Sequence, residues 1–431
     1  MSPLVLSLIL FMVLLFLGMP IVFVMCVSSV SYCFFSGNMM FLFVIIEKML
    51  RGMDSFVLLA IPMFIMCGEV MNRGGITRSI VGFADLIVGR LRGGLAYVNT
   101  LASTFFAGIT GSALSDIASL GSILIPSMNQ QGYDGDFSCA VTAATAIQGP
   151  LIPPSIPAVL VASATGLSTG ALFWGGAIPG VLIGLVAAVV IFIEGRRQAF
   201  PKRTERIEKK EALNLIIHSI LPLMTVVIIL AGMSTGIFTP TEAASVALAY
   251  AFIITMILYK RIPLKELFAM TKNVMVQTAT IYLIIAGATT FSYVLAIENI
   301  PSKLSTLINT YAHSQWQVLL IINIILLVWG MFMDTTPSIL VLVPILFPVA
   351  KAANINAIHF GVIVVVNLMM GLLTPPFGMA LYTTQSVGKC SMGGLLKQLW
   401  PFLIGDVLVL IMISVFPDLI LTLPRLMGLI K

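Results

Sequence analysis

The chain has few charged residues, and this scarcity excludes a water-soluble protein. Only 9% of its 431 residues are Asp, Glu, Lys or Arg, whereas 59% are hydrophobic. A soluble domain carries about 25% charged and about 45–50% apolar residues. Apolar runs such as 6–24 have the roughly 20 residues that a helix needs to cross the hydrocarbon layer. The composition therefore predicts an all-α polytopic membrane protein.

Several chemistries lack their sequence signatures. The five cysteines are scattered without a CxxC pair, and the three histidines have no partner at metal-ligand spacing. No GxxxxGK[ST] motif is present, so a P-loop ATPase is excluded. The basic residues stand in short blocks between apolar runs, which indicates topology signals rather than nucleic-acid binding. We expect no catalytic residue and no cofactor, and energy must come from an ion gradient.

Ten apolar segments are long enough to cross the membrane. The stretch 195–211, rich in Lys and Arg, separates them into two halves, and the positive-inside rule predicts that it is cytoplasmic, as Lys260 and Arg261 should be. The first basic residue is Lys48, so we expect no cleaved signal peptide. The predicted segments are 3–24, 27–46, 54–71, 137–165, 170–194, 213–233, 240–259, 272–297, 356–388 and 399–424. Both termini are then predicted to be external.

Two further apolar stretches are interrupted by small and polar residues. Residues 95–128 contain GSALSD at 111–116, and residues 317–350 contain DTTPS at 334–338. Each arm has about 16 residues, too few to cross comfortably, and irregular backbone at membrane depth requires protein or water around it. Both stretches are predicted to be re-entrant hairpins.

Each hairpin precedes a span that contains a Pro-Pro pair. The two spans read QGPLIPPSIP at 148–157 and GLLTPPFG at 371–378. A single proline would fit a kinked helix, but adjacent prolines remove backbone donors and predict an unwound stretch. Five predicted crossings separate the two hairpins, and an odd number turns the second copy over. The sequence thus predicts two inverted repeats, each with a re-entrant hairpin and a broken transmembrane helix.

Paired discontinuous helices in inverted repeats are typical of secondary transporters. Asp116 and Asp334 open the second arm of each hairpin. A carboxylate at that depth costs about 2.5–3.5 kcal/mol unless it is paired, which favours a bound cation. Helix capping alone is the simpler alternative. An intramembrane aspartyl protease is a rival interpretation, since two buried carboxylates can share a proton, but it leaves the duplicated Pro-Pro breaks unexplained.

The hairpin units offer no arginine to an anionic substrate. Between residues 95 and 170 the charged residues are three aspartates, and between 316 and 388 they are Asp334 and Lys351. Substrate charge must then be balanced by helix N-termini and by bound sodium. This predicts obligatory sodium coupling and favours a polar monoacid over a dicarboxylate.

Five stretches together resemble the large membrane subunit of TRAP (tripartite ATP-independent periplasmic) transporters, the DctM-like family. They are AIPMFIMCGEVMNRGGIT (60–77), FAGITGSALSD (106–116), QGPLIPPSI (148–156), GIFTPTEAA (236–244) and VVNLMMGLLTPPFG (365–378). Thr239, Pro240 and Glu242 also predict a helix that begins with a capping box and has proline at its first position.

The resemblance implies a sodium-driven elevator transporter in the bacterial inner membrane. It also implies a small four-span membrane subunit and a periplasmic substrate-binding protein as partners. Family substrates are organic acids, and we expect sialic acid first and a C4-dicarboxylate or another carboxylate second. A free-standing sodium/carboxylate symporter without a binding protein remains an alternative.

The resemblance also divides the chain into fixed and moving parts. Scaffold spans and a cytoplasmic amphipathic arm are expected at 1–94, and scaffold spans with an external arm at 171–315. The moving transport domain is expected at 95–170 and 316–390, followed by a final span at 391–431.

Site residues follow from the same resemblance. The expected sodium-binding residues are Gly111, Ser112, Ser115, Asp116, Gly149 and Pro153 in the first half, and Asp334, Thr335, Thr336, Thr374, Pro375 and Gly378 in the second. The expected substrate-binding residues are Ser112, Gln148 and Ser155. Gln148 stands where the family has an apolar residue, which predicts either a hydrogen bond to a hydroxylated substrate or a different helix contact.

Overall fold

The computed structural model describes residues 2–197, 200–202, 209–259, 262–312 and 314–430, and over these residues the protein is built of helices. A 3₁₀ turn (Phe56–Leu59) and a π-helical turn (Ile253–Leu258) join the α-helices. The α-helices are α1 (Pro3–Phe16), α2 (Ile21–Ser36), α3 (Met40–Met53), α4 (Ala60–Arg73), α5 (Ile76–Val88), α6 (Gly94–Thr110), α7 (Ala113–Gln130), α8 (Gly135–Ala146), α9 (Ile156–Thr165), α10 (Thr169–Arg197), α11 (Lys209–Ser234), α12 (Pro240–Phe252), α13 (Leu264–Ile297), α14 (Ile300–Tyr311), α15 (Gln315–Gly330), α16 (Thr335–Ala352), α17 (Ala357–Gly371), α18 (Met379–Gly388), α19 (Met392–Val415) and α20 (Asp418–Leu426). The predicted all-α membrane fold is confirmed.

Seven helical stretches in the described residues are long and apolar enough to cross a bilayer. They include α10, α11, α13 and α19, while α1, α2, α9, α15 and α17 are apolar but shorter. Large apolar side chains are exposed along these helices, as on α10, where Leu185 and Val189 are each 57% exposed. Such surfaces suit contact with lipid chains rather than with water.

Two predicted N-terminal spans and the C-terminal one are wrong in their extents. Segment 3–24 is divided between α1 and α2, because Gly18 has φ +76° and Pro20 cannot continue a helix. Segment 27–46 is divided at Gly37, whose φ of +69° ends α2. Segment 399–424 is divided at Pro417, where α19 gives way to α20.

Both predicted hairpins contain the helix break that the sequence indicates. The first breaks at residues 111–112, where Gly111 has φ +60°. The second breaks at 331–334, earlier than the predicted 334–338, because Asp334 is the N-cap of α16 and Thr335 to Ser338 are helical. In each hairpin the two arms pack against each other.

Both predicted broken spans are interrupted as expected. Residues 147–155 separate α8 from α9, and residues 372–378 separate α17 from α18. Both breaks contain a cis peptide bond between their two prolines, Pro153–Pro154 and Pro375–Pro376. The order of arm, hairpin and broken span therefore occurs twice, over α5–α9 and α14–α18, while the inversion of the second copy stays a prediction.

The hairpins pack on the broken spans of both halves. The second arm of the first hairpin, α7, packs against α18, and the second arm of the second hairpin, α16, packs against α9. Each hairpin thus lies against the broken span of the other half. This arrangement brings both hairpin tips to the interior of the molecule.

The remaining helices surround this unit. Close packing joins α4 to α12, and α13 to α2 and α3. The capping box at the start of α12 is confirmed, with the Thr239 N–H donating to Glu242 Oε2 at 2.8 Å. The central part of the basic stretch 195–211 (198–199 and 203–208), Lys260, Arg261 and His313 lie outside the described residues.

Candidate functional site

A cavity of about 380 Å³ lies where the two hairpin tips meet α4 and α13. The first tip contributes residues 110–115 and the second contributes 334–336. Ile65, Gly68 and Glu69 of α4, Gln277 and Ile281 of α13, and Pro150, Ile156, Pro157, Met369 and Leu372 complete the lining. Pockets for small molecules commonly have about 300–1,000 Å³. The cavity therefore has room for a small organic ligand.

The lining is polar without being basic. Glu69 and Asp334 are its charged residues, and neither lysine nor arginine is among the described residues that line it. Hydroxyl groups come from Thr110, Ser112, Ser115, Thr335 and Thr336. An anion in this space must be neutralised by backbone dipoles or by cations that enter with it.

The first hairpin tip presents a helix N-terminus to the cavity. Ser112 is the N-cap of α7, with extended backbone (φ −140°, ψ 118°), and its side chain makes no capping hydrogen bond. The next three residues, Ala113 to Ser115, line the cavity. The N–H groups of a first helical turn have no partner within the helix. The tip can therefore donate several hydrogen bonds to an anionic group.

Asp116 lies one turn deeper, behind the tip. It is 1% exposed, accepts a hydrogen bond from the Thr110 hydroxyl through Oδ1, and leaves Oδ2 without a partner. That oxygen lies against Gly149, where an added Cβ would collide with it. The Gly149 position thus needs glycine to admit the carboxylate. A buried carboxylate with an open oxygen beside an unwound chain is suited to binding a cation.

The first break packs directly on the first tip. A Cβ at Gly111 would lie 2.6 Å from the carbonyl oxygen of Pro154. Pro153 belongs to the same buried break. The carbonyl oxygen of Pro154, from the break, and Asp116 Oδ2, from the hairpin, therefore both lie beside the first tip.

The three predicted substrate residues occupy different environments. Ser112 lines the cavity, whereas Ser155 is 1% exposed and acts as the N-cap of α9, donating to the Pro150 carbonyl and accepting from the Ala158 N–H at 3.1 Å. Gln148 is fully buried, and its Oε1 accepts from Thr104 at 2.7 Å. The structure therefore gives Gln148 a helix contact, away from the cavity lining.

The second tip differs from the first because an acidic residue caps it. Asp334 Oδ2 accepts from the Thr336 N–H at 3.4 Å, and Ser338 donates its hydroxyl to the Asp334 carbonyl at 2.7 Å. Thr335 is 4% exposed, and its hydroxyl has no hydrogen-bond partner although it lines the cavity. A ligand that bound beside Thr335 would supply the partner that this buried hydroxyl lacks.

The second break adjoins this tip, and of its residues Leu372 lines the cavity. Thr374 donates its hydroxyl to the Met370 carbonyl at 2.8 Å, and Pro375 follows it in the break. A Cβ at Gly378 would lie 2.8 Å from the Leu372 carbonyl. Predicted residues of the second half are thus divided between the cavity and the adjoining break.

Three polar residues of the site were missed by the sequence interpretation. Glu69 and Gln277 line the cavity, and Thr110 holds Asp116. Glu69 also pairs with Arg73 at 2.6 Å, and Arg73 with Glu266 at 3.3 Å. An ionisable or amide side chain inside an apolar segment signals function. That signal was present at Glu69 and Gln277.

Comparison with known proteins identifies strong relatives over the whole chain. Residues 8–419 match the family described as "Tripartite ATP-independent periplasmic transporter, DctM component". The chain is 38% identical over 416 residues to the sialic acid TRAP transporter large permease protein SiaM of Vibrio cholerae, with 96% of each chain covered. It is also 38% identical over 381 residues to the C4-dicarboxylate TRAP transporter large permease protein DctM of Pseudomonas aeruginosa, covering 88% of this chain and 89% of that one.

A solved structure shares the fold. The chain is similar to the YdaH transporter of Alcanivorax borkumensis, with a TM-score of 0.65, 13% sequence identity, and coverage of 97% of this chain and 98% of that one. At this identity the likeness concerns architecture alone. These two sequence relatives are permeases rather than enzymes; they are named for different substrates and share the same identity of 38% with the chain, over 416 and 381 residues.

Proposed function

The chain belongs to the DctM component family of tripartite ATP-independent periplasmic transporters, and from this premise we propose that it is the large permease of a sodium-coupled importer of an organic acid. The observation that carries the proposal is the shared cavity. Both hairpin tips line it, and none of its described lining residues is a lysine or an arginine. The charge of an acid bound there would be balanced by helix N-termini and by cations that bind with it.

Sodium coupling is supported by the surroundings of Asp116. Its Oδ2 has no hydrogen-bond partner, and the close approach of Gly149 leaves the oxygen beside an unwound backbone. Carboxylate and carbonyl oxygens at discontinuous helices bind sodium in secondary transporters. Asp334, the N-cap of α16, is the candidate carboxylate for the second ion.

The substrate carboxylate is proposed to bind at the N-terminus of α7. The first-turn residues after Ser112 line the cavity, and the Thr335 hydroxyl has no partner in the protein. Together they offer donors to a carboxylate without a positively charged side chain. We place sialic acid first and C4-dicarboxylates or other carboxylates second.

The mechanism proposed is an elevator movement. The hairpins and broken spans form one unit through the reciprocal packing of α7 on α18 and of α16 on α9. The cavity lies at the boundary between this unit and the surrounding α4 and α13. Sliding the unit along that boundary would carry the site across the bilayer.

The partners follow from the family. A tripartite transporter has three components, so we propose a small four-span membrane subunit and a periplasmic substrate-binding protein beside this chain. The multi-pass chain is proposed to lie in a bacterial inner membrane, with both termini periplasmic.

Transport in proteoliposomes tests the proposal. The chain is reconstituted with candidate small subunits and binding proteins, and uptake of labelled sialic acid and succinate is measured with and without an inward sodium gradient. We expect uptake that requires both the gradient and the binding protein. Uptake by the chain alone would instead favour a free-standing symporter.

A matched pair of variants tests the ion site. Asp116→Asn should abolish sodium-dependent uptake, whereas Asp54→Asn, which alters an exposed aspartate outside the site, should leave it unchanged. Normal sodium dependence in Asp116→Asn would contradict the assignment of this residue to a sodium site.

A further inference from the structure

Three chain segments meet around the aromatic ring of Phe200. Phe200 is 7% exposed and packs against Tyr133 and Phe137, with ring centroids 5.2 and 4.9 Å away. The Gly93 N–H donates to the Pro201 carbonyl at 3.1 Å. A Cβ at Gly195 would lie 2.9 Å from Phe200 Cδ2. The turn after α5, the end of α10 and residues 200–202 are therefore held together.

Each of these segments carries an exposed basic residue close to the meeting point. The basic cluster consists of Arg90, Arg92, Arg196 and Lys202, all of them exposed. In the part of the chain that the structure describes, no ion pair involves any of the four. The neighbouring Glu194 is engaged by Arg197 at 3.2 Å. Among the described residues, the four basic side chains of the cluster are therefore exposed and free of ion pairs.

An exposed apolar surface lies beside the basic cluster. On α10, Val189, Phe192 and Ile193 are 57%, 52% and 45% exposed, and near the end of α5, Ile87 and Leu91 are 55% and 49% exposed. Helix α10 is one of the membrane-crossing candidates. Arg196 lies over the Phe192 ring, 4.4 Å from its centroid, so its charge sits where the apolar surface ends. The positive charge thus borders directly on the lipid-facing side.

We propose that the basic cluster binds the headgroup of an anionic phospholipid, whose acyl chains lie along the exposed apolar residues of α10. Basic residues gathered at the end of a membrane helix attract anionic lipids, at about 1 kcal/mol or roughly fivefold in affinity for each residue. If these basic residues only determined the orientation of the chain in the membrane, they would have to lie on one side of it. They would not have to come together from three segments around the buried ring of Phe200. The basic cluster suits the anionic headgroup of a phospholipid, and the adjoining apolar surface suits its acyl chains.

Lipid binding to the full chain, with any membrane subunit that co-purifies, tests this proposal. The delipidated protein is titrated with phosphatidylglycerol or phosphatidylcholine in mixed micelles, and bound lipid is counted by native mass spectrometry. We expect phosphatidylglycerol to bind and phosphatidylcholine not to compete. Arg90→Gln combined with Lys202→Gln should weaken phosphatidylglycerol binding by about 25-fold.

Two control variants separate lipid binding from folding and from overall charge. Lys303→Gln with Lys351→Gln removes the same charge from α14 and α16 and should bind like the unmodified chain. Arg90→Lys with Lys202→Arg keeps the charges and should also retain binding. Equal affinity in the Gln variant of the cluster, an equal loss in the Lys303/Lys351 control, or displacement of the lipid by inorganic phosphate at equal concentration would overturn the proposal.

Discussion

The two carboxylate oxygens of Asp116 have different surroundings: one accepts a hydrogen bond from a side chain, and the other lies against a glycine without a hydrogen-bond partner. Thr110 satisfies Oδ1, while Oδ2 stays open because position 149 has no Cβ. The open oxygen is available to an ion only as long as position 149 carries no larger side chain. Gly149 is thus a positioning residue for the carboxylate.

Gly149→Ala is expected to raise the sodium concentration for half-maximal uptake by about tenfold or more. The added methyl collides with Asp116 Oδ2, and losing one interaction with a charged group costs about 1.5–3 kcal/mol. Uptake as a function of sodium concentration checks this. Gly393→Ala is the control, since nothing lies within 4 Å of a Cβ there, and equal sodium dependence of the two variants would refute the prediction.

Thr335→Val should weaken substrate binding without weakening the fold. The Thr335 hydroxyl has no partner in the protein, so its removal breaks no internal bond, while a hydrogen bond to a carboxylate is worth about 1.5–3 kcal/mol. We expect KM to rise about tenfold with an unchanged melting temperature. Thr384→Val, which loses a bond to the Ala380 carbonyl at 2.7 Å, should lower the melting temperature and leave KM unchanged. The opposite pattern would place the Thr335 hydroxyl outside the substrate site.

At the scale of helices, the second hairpin is joined to its broken span by two glycines in contact. A Cβ at Gly371 would lie 2.6 Å from Gly330 Cα, so α15 and α17 approach closely at the point where both end. Glycine at both positions permits an approach that a larger residue would prevent. The contact fixes the second tip relative to the second break.

Gly371→Ala is expected to destabilise the protein by about 1–3 kcal/mol, the usual cost of overpacking a close contact. The melting temperature of the purified chain in detergent should fall, because the methyl group pushes α15 away from α17. The same substitution at Gly393, where space is open, should leave it unchanged. An unchanged melting temperature in Gly371→Ala would contradict the prediction, because it would mean that α15 and α17 can move apart without destabilising the protein.

Helix breaks were predictable from the sequence, whereas short turns between apolar helices were not. Pro-Pro pairs and the polar run around Asp116 carry strong local signals, and all four interruptions are present. The turns at Gly18 and Gly37 rest on single glycines with positive φ in apolar surroundings, which hydrophobicity alone cannot distinguish from a continuous span. At the site, Asp116 and Asp334 stood out as charges, but the cavity depends on how distant segments pack, so the contributions of Glu69 and Gln277 required the fold.

For the whole molecule, the elevator proposal demands movement between α6 and α11. These helices touch where a Cβ at Gly108 would collide with the Val226 side chain. The hairpin helix α6 belongs to the proposed moving unit and α11 to the surrounding scaffold. A covalent bond across this contact would prevent sliding.

Gly108→Cys combined with Val226→Cys, in a chain whose five native cysteines are replaced by serine, should lose uptake when the pair is oxidised and recover it on reduction. Gly121→Cys with Val387→Cys links α7 to α18 inside the moving unit, where a Cβ at Gly121 lies 3.5 Å from Val387 Cγ1. Oxidation of this second pair should leave transport unchanged. Full activity of the oxidised Gly108/Val226 pair would exclude relative motion at this contact.

The reciprocal packing of α7 with α18 and of α16 with α9 also bears on how the protein comes into being. Each hairpin packs on the broken span of its own half and on that of the other half, so the first half emerging from the ribosome lacks part of its packing until the second has been inserted. Biogenesis therefore ends with a late assembly step, and two fragments separated within residues 198–208 would be expected to regain the native arrangement only when produced together in one membrane.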